Sequence, residues 1–146
     1  MRKRVSVAVA AMAACFAYQA FGLHVYWIGG SSGEWNTGSN WTGGKAPYTA
    51  NYFVHITNET PVSITVSSAQ AIGGIAFSGA NHTISSGSLY IRAGETGDPR
   101  IEVEEGLTAT VNSLLAKTSG ENGLHKRGKG KLVTKGSLGA KSNYFA

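Results

Sequence analysis

Gly123-Leu124-His125-Lys126-Arg127-Gly128-Lys129-Gly130-Lys131-Leu132-Val133-Thr134-Lys135-Gly136 is the stretch on which the fold turns. It predicts two short strands, Leu124–Lys126 and Lys131–Thr134, joined by a turn that contains Gly128 and Gly130. Alternation along Leu124 and Lys126, then along Leu132 and Thr134, gives each strand one inward and one outward face. The two glycines supply positive φ or a close backbone approach at a tight corner. A unit this small cannot bury its apolar edge alone, so it requires a similar unit stacked against it.

The pattern Gly-Leu-x-Lys-x-Gly-x-Gly-x-Leu, carried by Gly123, Leu124, Lys126, Gly128, Gly130 and Leu132 and closed by Gly136, resembles the autotransporter-associated β-strand repeat. The chain has His125 and Lys131 where that repeat usually has Thr, and Thr134 where it has a second Leu. The resemblance implies a rung of a secreted right-handed parallel β-helix. It implies nothing specific about what such a solenoid binds.

The start of the chain carries an export pattern. Arg2-Lys3-Arg4 is a positive n-region, Val5–Phe16 an apolar, alanine-rich core, and Ala20-Phe21-Gly22 offers small residues for cleavage after Gly22. The apolar run is too short for a permanent membrane anchor, and no later segment qualifies, so the mature chain is expected to hold no integral membrane segment. A second reading makes Met12-Ala13-Ala14-Cys15 a lipobox, with Cys15 as the lipidated residue of a lipoprotein. If cleavage instead follows Gly22, the mature chain has no cysteine, hence no disulfide or thiolate chemistry. Removing Arg2, Lys3 and Arg4 takes the net charge from +5 to about +2, too little for a nucleic-acid binder.

The 146 residues suffice for one small domain, with 20 glycines and only 14% charged residues. That composition favours an all-β chain with many turns. The segment 23–50 opens with a strand, His24-Val25-Tyr26-Trp27-Ile28, ended by Gly29-Gly30, then Trp35-Asn36 and Asn40-Trp41 in a Gly/Ser/Thr setting. This arrangement is similar to the N-terminal opening of the same secreted β-helix proteins. An open solenoid end exposes unpaired strand edges and a core cross-section. Trp27, Trp35 and Trp41 are expected to lay their rings over the first rung, with indole N–H groups bonded to loop carbonyls. The functional alternative for Trp27, Trp35 and Trp41 is a glycan-stacking platform.

Over 51–136 short β-branched runs recur: Tyr52–Thr57, Ser63–Val66, Gly74–Phe77, His82–Ser85, Leu89–Ile91, Ile101–Val103 and Thr108–Val111. No stretch keeps helical periodicity for three turns; Ala109–Lys117 comes nearest. Fourteen residues are expected to point inward: Val54, Ile56, Ile64, Val66, Ile75, Phe77, Ile84, Leu89, Ile91, Ile101, Val103, Val111, Leu124 and Leu132. A stacked β-helix is the predicted fold class, with a β-sandwich as the alternative.

No catalytic set emerges. Asp98 is the sole aspartate, and Glu102 and Glu104 alternate with apolar Ile101 and Val103, with Glu105 beside them, as on the solvent side of a half-buried strand. Gly123-x-x-x-x-Gly128-Lys129-Gly130 lacks the Ser or Thr and the helix that a phosphate loop needs. His24, His55, His82 and His125 show no spacing that converges on a metal. There is no Gly-x-Ser-x-Gly elbow. Sequons at Asn40, Asn58 and Asn81 are expected to be silent beside a bacterial-looking signal. Lys117, Lys126, Arg127, Lys129, Lys131, Lys135 and Lys141 form a basic end that discourages edge-to-edge aggregation, or meets an anionic surface.

The expected organisation is a signal peptide (1–22), a Trp-rich cap (23–50), β-helix rungs (51–136) and a tail (137–146) that ends without a cover, as in a fragment or truncated chain. The expected function is that of a non-enzymatic exported surface solenoid, similar to an autotransporter passenger, with a display or adhesion role. It would use no cofactor and no metal, and its partner would be a surface glycan or another solenoid end. The alternatives are a carbohydrate-binding module built on the tryptophans, or the N-terminal piece of a larger autotransporter or β-helix enzyme.

Overall fold

The computed structural model describes residues 22–94, 97–116 and 123–135. The export segment with Cys15, residue Gly136 and the 137–146 tail lie outside these residues. Strands follow in the order β1 (Leu23–Tyr26), β2 (Ser32–Glu34), β3 (Tyr52–Ile56), β4 (Ser63–Thr65), β5 (Gln70–Ile72), β6 (Gly74–Phe77), β7 (Thr83–Ser85), β8 (Ser88–Ile91), β9 (Arg100–Val103), β10 (Thr108–Val111), β11 (Leu114–Ala116), β12 (His125–Arg127) and β13 (Lys131–Thr134). The described helical structure is two single 3₁₀ turns, Gly38–Asn40 and Thr42–Gly44.

Successive strands do not pair with each other. The first sheet runs β1-β3-β6-β9-β12, the second β13-β10-β7-β4-β2 and the third β11-β8-β5, and every pairing among these strands is parallel. From β3 to β11 each circuit of the chain therefore lays one strand on each wall, and the circuits stack as a β-solenoid of about four turns. This excludes the sandwich alternative, whose sheets are built from antiparallel Greek-key pairs.

The expected limits of β6, β10 and β13 coincide with the observed ones. Three further strands, β2, β5 and β11, have sequences Ser-Gly-Glu, Gln-Ala-Ile and Leu-Leu-Ala, poor in β-branched residues. Their strand character comes from the ladder that each joins, because β propensity yields to tertiary pairing. Of the near-helical Ala109–Lys117 stretch, the described residues 109–116 are the end of β10, a corner at Asn112-Ser113, and β11.

Register explains the core. On the first sheet Val25, Val54, Ile75 and Ile101 stand in one inward column, and Ile56, Phe77 and Val103 in the next. On the second sheet Ile64, Ile84 and Val111 align, and on the third Ile72 with Ile91 and Leu89 with Leu115. Of the fourteen expected inward residues thirteen are buried; Leu132, on β13, is partly buried and packs against the same cluster. Each buried aliphatic side chain contributes about 1.5–3 kcal/mol.

The first column continues from Ile101 to Lys126 on β12. Its Nζ turns to the corner and donates to the carbonyls of Arg127 (3.0 Å) and Gly128 (2.7 Å), leaving the stem over the core. The strand begins one residue later than expected, and Leu124 just before it is buried. Gly128 has φ of 74°, and a Cβ there would collide with the Val103 carbonyl of the rung below. The expected positive φ is thus present at Gly128, and a Cβ on Gly130 would strike the Glu104 carbonyl. These two glycines let one corner sit directly on another.

Ile84 is fully buried in the middle of the second sheet. Ile84→Asp should abolish cooperative unfolding at room temperature, whereas Ile84→Val should cost about 0.5–1.5 kcal/mol in urea denaturation. Near-normal thermal stability of Ile84→Asp would contradict this core assignment.

Candidate functional site: the N-terminal strap and the outer face of the first sheet

The first turn differs from those that follow. After β2 the chain does not add a strand to the third sheet but doubles back through Trp35, the two 3₁₀ turns and Trp41. Trp41 forms an antiparallel bridge with Trp27, Ile28 N–H donates to the Asn40 carbonyl (2.8 Å), and Tyr26 N–H donates to Thr42 Oγ1 (3.0 Å). In a parallel ladder alternate N–H groups of an edge strand point away from its partner. Leu23 and Trp27 donate towards β3, so Tyr26 and Ile28 face the open side, and the 40–42 strap takes both.

Trp35 and Trp41 are 0% exposed and Trp27 3%. Trp41 meets Trp27 edge-on (5.1 Å, 83°) and Trp35 at 61° (4.8 Å). The indole N–H groups of Trp27, Trp35 and Trp41 donate to the carbonyls of Gly30 (2.9 Å), Pro47 (2.9 Å) and Trp35 (2.7 Å). Gly33 makes room: an added Cβ there would meet Asn40 Nδ2 at 2.8 Å. The three rings are part of the core cluster and offer no free face for a sugar to stack on.

The outer face of the first sheet is the chemically richest surface. One outward column is His24, Phe53, Gly74, Arg100 and His125; its neighbour is Tyr26, His55, Ala76, Glu102 and Arg127. The small Gly74 leaves space that the Phe53 ring fills, burying it although it points outward, and the Arg100 guanidinium covers that ring at 4.3 Å. Arg100 Nε also pairs with Glu102 Oε1 at 2.6 Å. Tyr26 stacks on His55 (4.5 Å, 13°), and His24 Nδ1 lies 2.8 Å from His55 Nε2. The two histidines are 31 residues apart, two positions more than the first turn, so they meet as diagonal neighbours across the β1–β3 register.

Beside this ladder an open groove of about 450 Å³ runs over Ala76, Phe77 and Ser78, walled by Glu102, Glu104 and Arg127. Glu104 Oε2 accepts the Gly79 N–H at 3.0 Å, and Glu105 lies 3.4 Å from Lys129. The carboxylates thus hold a guanidinium, a loop amide and a lysine. Among the described residues no group of three or more His, Cys, Asp or Glu side chains could hold a metal ion, and no helix is long and apolar enough to cross a membrane.

His82 is separate from this face. It occupies the inward column between Val62 and Ala109 and is 1% exposed. Its Nε2 lies 2.8 Å from the Ser78 carbonyl, which can only accept, and its Nδ1 accepts the Val62 N–H at 3.2 Å. These partners fix the neutral ring with its proton on Nε2. Burial lowers its pKa below the ordinary 6.5, against the raising effect of the Ser78 bond. His55 is also lowered, first by burial and then by the neighbouring His24.

A histidine held neutral in the folded state protonates at higher pH in the unfolded chain. Stability is then complete above the unfolded value of 6.5 and falls as pH drops below it towards the folded value. The urea midpoint should be lower at pH 5.5 than at pH 7.5 (about one unit either side of the ordinary histidine pKa). His82→Gln should be less stable at the higher pH but should show a shallower decline. An unchanged pH slope in His82→Gln would remove His82 as the cause.

Compared with known proteins, the chain matches no family model, no curated protein and no solved structure.

Proposed function

We propose that this chain is an exported, non-enzymatic surface solenoid similar to an autotransporter passenger, which presents its outer walls and corners for adhesion or display. The observation that carries the proposal is the combination of a stacked parallel ladder with a first rung closed by its own strap. Such a body is rigid and keeps its N-terminal edge from pairing with other strands. The Arg2-Lys3-Arg4 segment and the apolar run after it support export. The Gly123–Gly136 motif supports the repeat kinship, and the inward Lys126 and the tight Gly128 corner give that motif a structural reason.

On this reading the tryptophans maintain the cap, and a glycan would meet exposed aromatics, such as Tyr26 at 42% and Tyr48 at 50%, instead of Trp27, Trp35 and Trp41. Trp41→Ala should then cost about 3–5 kcal/mol of stability. If that variant kept its thermal midpoint and lost retention on immobilised glycans, the carbohydrate-binding alternative would take the place of display.

Expression of the full chain in a Gram-negative host, followed by intact-mass analysis, tests export. The expected product begins at Leu23 and lies outside the cytoplasm, and Cys15→Ala leaves it unchanged. A lipid-bearing product that Cys15→Ala abolishes would establish the lipoprotein route. A cytoplasmic chain retaining its first residues would overturn export altogether.

A further inference from the structure

The outer face of the first sheet holds two imidazoles whose ring nitrogens confront each other at 2.8 Å, His24 Nδ1 and His55 Nε2. Their ring centroids are 5.1 Å apart. Between two neutral rings one nitrogen must donate and the other accept, so a single proton lies on the line between them. We infer that this pair is a two-histidine site for a divalent transition-metal ion, with preference for copper(II) over nickel(II) and zinc(II).

Three observations carry the inference. The first is ligand spacing. Two nitrogens at adjacent positions of a square-planar centre with bonds of about 2.0 Å are about 2.8 Å apart, whereas tetrahedral positions are about 3.3 Å apart. The observed 2.8 Å separation is that of the hydrogen bond between the nitrogens and lies close to both spacings, so a small turn of His24 brings both nitrogens to one ion. Copper(II) has the highest affinity of the divalent series for such imidazole donors.

The second is preorganisation with one movable member. His55 is held under the Tyr26 ring (4.5 Å) and against Phe53 (5.0 Å). His24 is exposed on the outermost strand of the sheet, so its ring can turn to aim its lone pair at an ion off the line between the nitrogens. The donor ring moves its proton to its other nitrogen, which frees its lone pair for the ion. Water fills the remaining positions.

The third is the charge around the pair. Arg100, the cation that faces it from β9, is paired with Glu102, whose own charge favours a cation nearby. This proposal is independent of the display function and of export.

Titration of the full chain from Met1 with copper(II), nickel(II) and zinc(II) chlorides in a non-coordinating buffer tests it. Starting at Met1 keeps a free α-amine away from His24, where an amine–imidazole chelate would imitate the site. The expected result is one copper(II) equivalent with nitrogen hyperfine structure in its paramagnetic resonance spectrum. Copper(II) should raise the thermal midpoint, because binding to the folded state alone stabilises it. His24→Gln and His55→Gln should each weaken copper(II) binding about tenfold or more, while His125→Gln leaves it unchanged. His24→Gln alters an exposed side chain, so it decides the matter even where His55→Gln disturbs folding. No copper(II) binding tighter than millimolar, or binding that His24→Gln retains in full, overturns the proposal.

Discussion

Each interior rung among the described residues is hydrogen-bonded to the rung before and the rung after it, and the rest of the structure depends on that axial ladder. A parallel strand in the interior satisfies its backbone on both sides; an end strand satisfies it on one. The cost of the fold is therefore concentrated at an end strand such as β1. Beside β1 the chain uses Trp35 through Pro47 as a strap instead of a third strand. The strap satisfies outward donors of β1 through Asn40 and Thr42 and fills the cross-section with indole rings. It is also tied to the next turn, since Asn36 donates to Ser68 (2.8 Å) and accepts from Gln70 (2.7 Å).

The same ladder sets what each wall can carry. Inward columns are constrained by packing, and substitution there is paid in stability. Lys126 and His82 are the instructive exceptions. Lys126 continues an aliphatic column and is tolerated because its ammonium reaches corner carbonyls. His82 is tolerated because both ring nitrogens have partners. The rule that buried polar groups must be hydrogen-bonded decides the case of His82, while Lys126 keeps its ammonium at the exposed corner. Outward columns have no such constraint, and there the side chains of one rung meet those of the next.

The fold was legible where the chemistry is local. Runs such as Gly74–Phe77, Thr108–Val111 and Lys131–Thr134 are short, β-branched or alternating and bounded by turn residues, and they form strands at those limits. Thirteen inward positions followed from alternation alone. The tryptophan hydrogen bonds to loop carbonyls could be expected because a buried indole has one donor to satisfy. Ser32–Glu34 and Leu114–Ala116 were not legible, since nothing in Ser-Gly-Glu or Leu-Leu-Ala marks a strand until a neighbour supplies the ladder. Leu132 was only half legible, because it stands on β13 at the end of its sheet.

The outer-face site was hidden for a different reason. His24 and His55 look unrelated in sequence, as do Phe53, Gly74 and Arg100, because the contacts between them are one or more circuits apart. The circuits are unequal: Val54 to Ile75 is shorter than Val25 to Val54, so no fixed period reveals a column. Once the register of the buried residues is known, however, the outward columns follow without further information. Val25 over Val54 over Ile75 over Ile101 places His24 next to Phe53, Phe53 above Gly74, and Arg100 beyond it. A solenoid's core is thus the key to its surface: hydrophobic alternation fixes which residues share a rung position, and rung position determines which polar groups can act together.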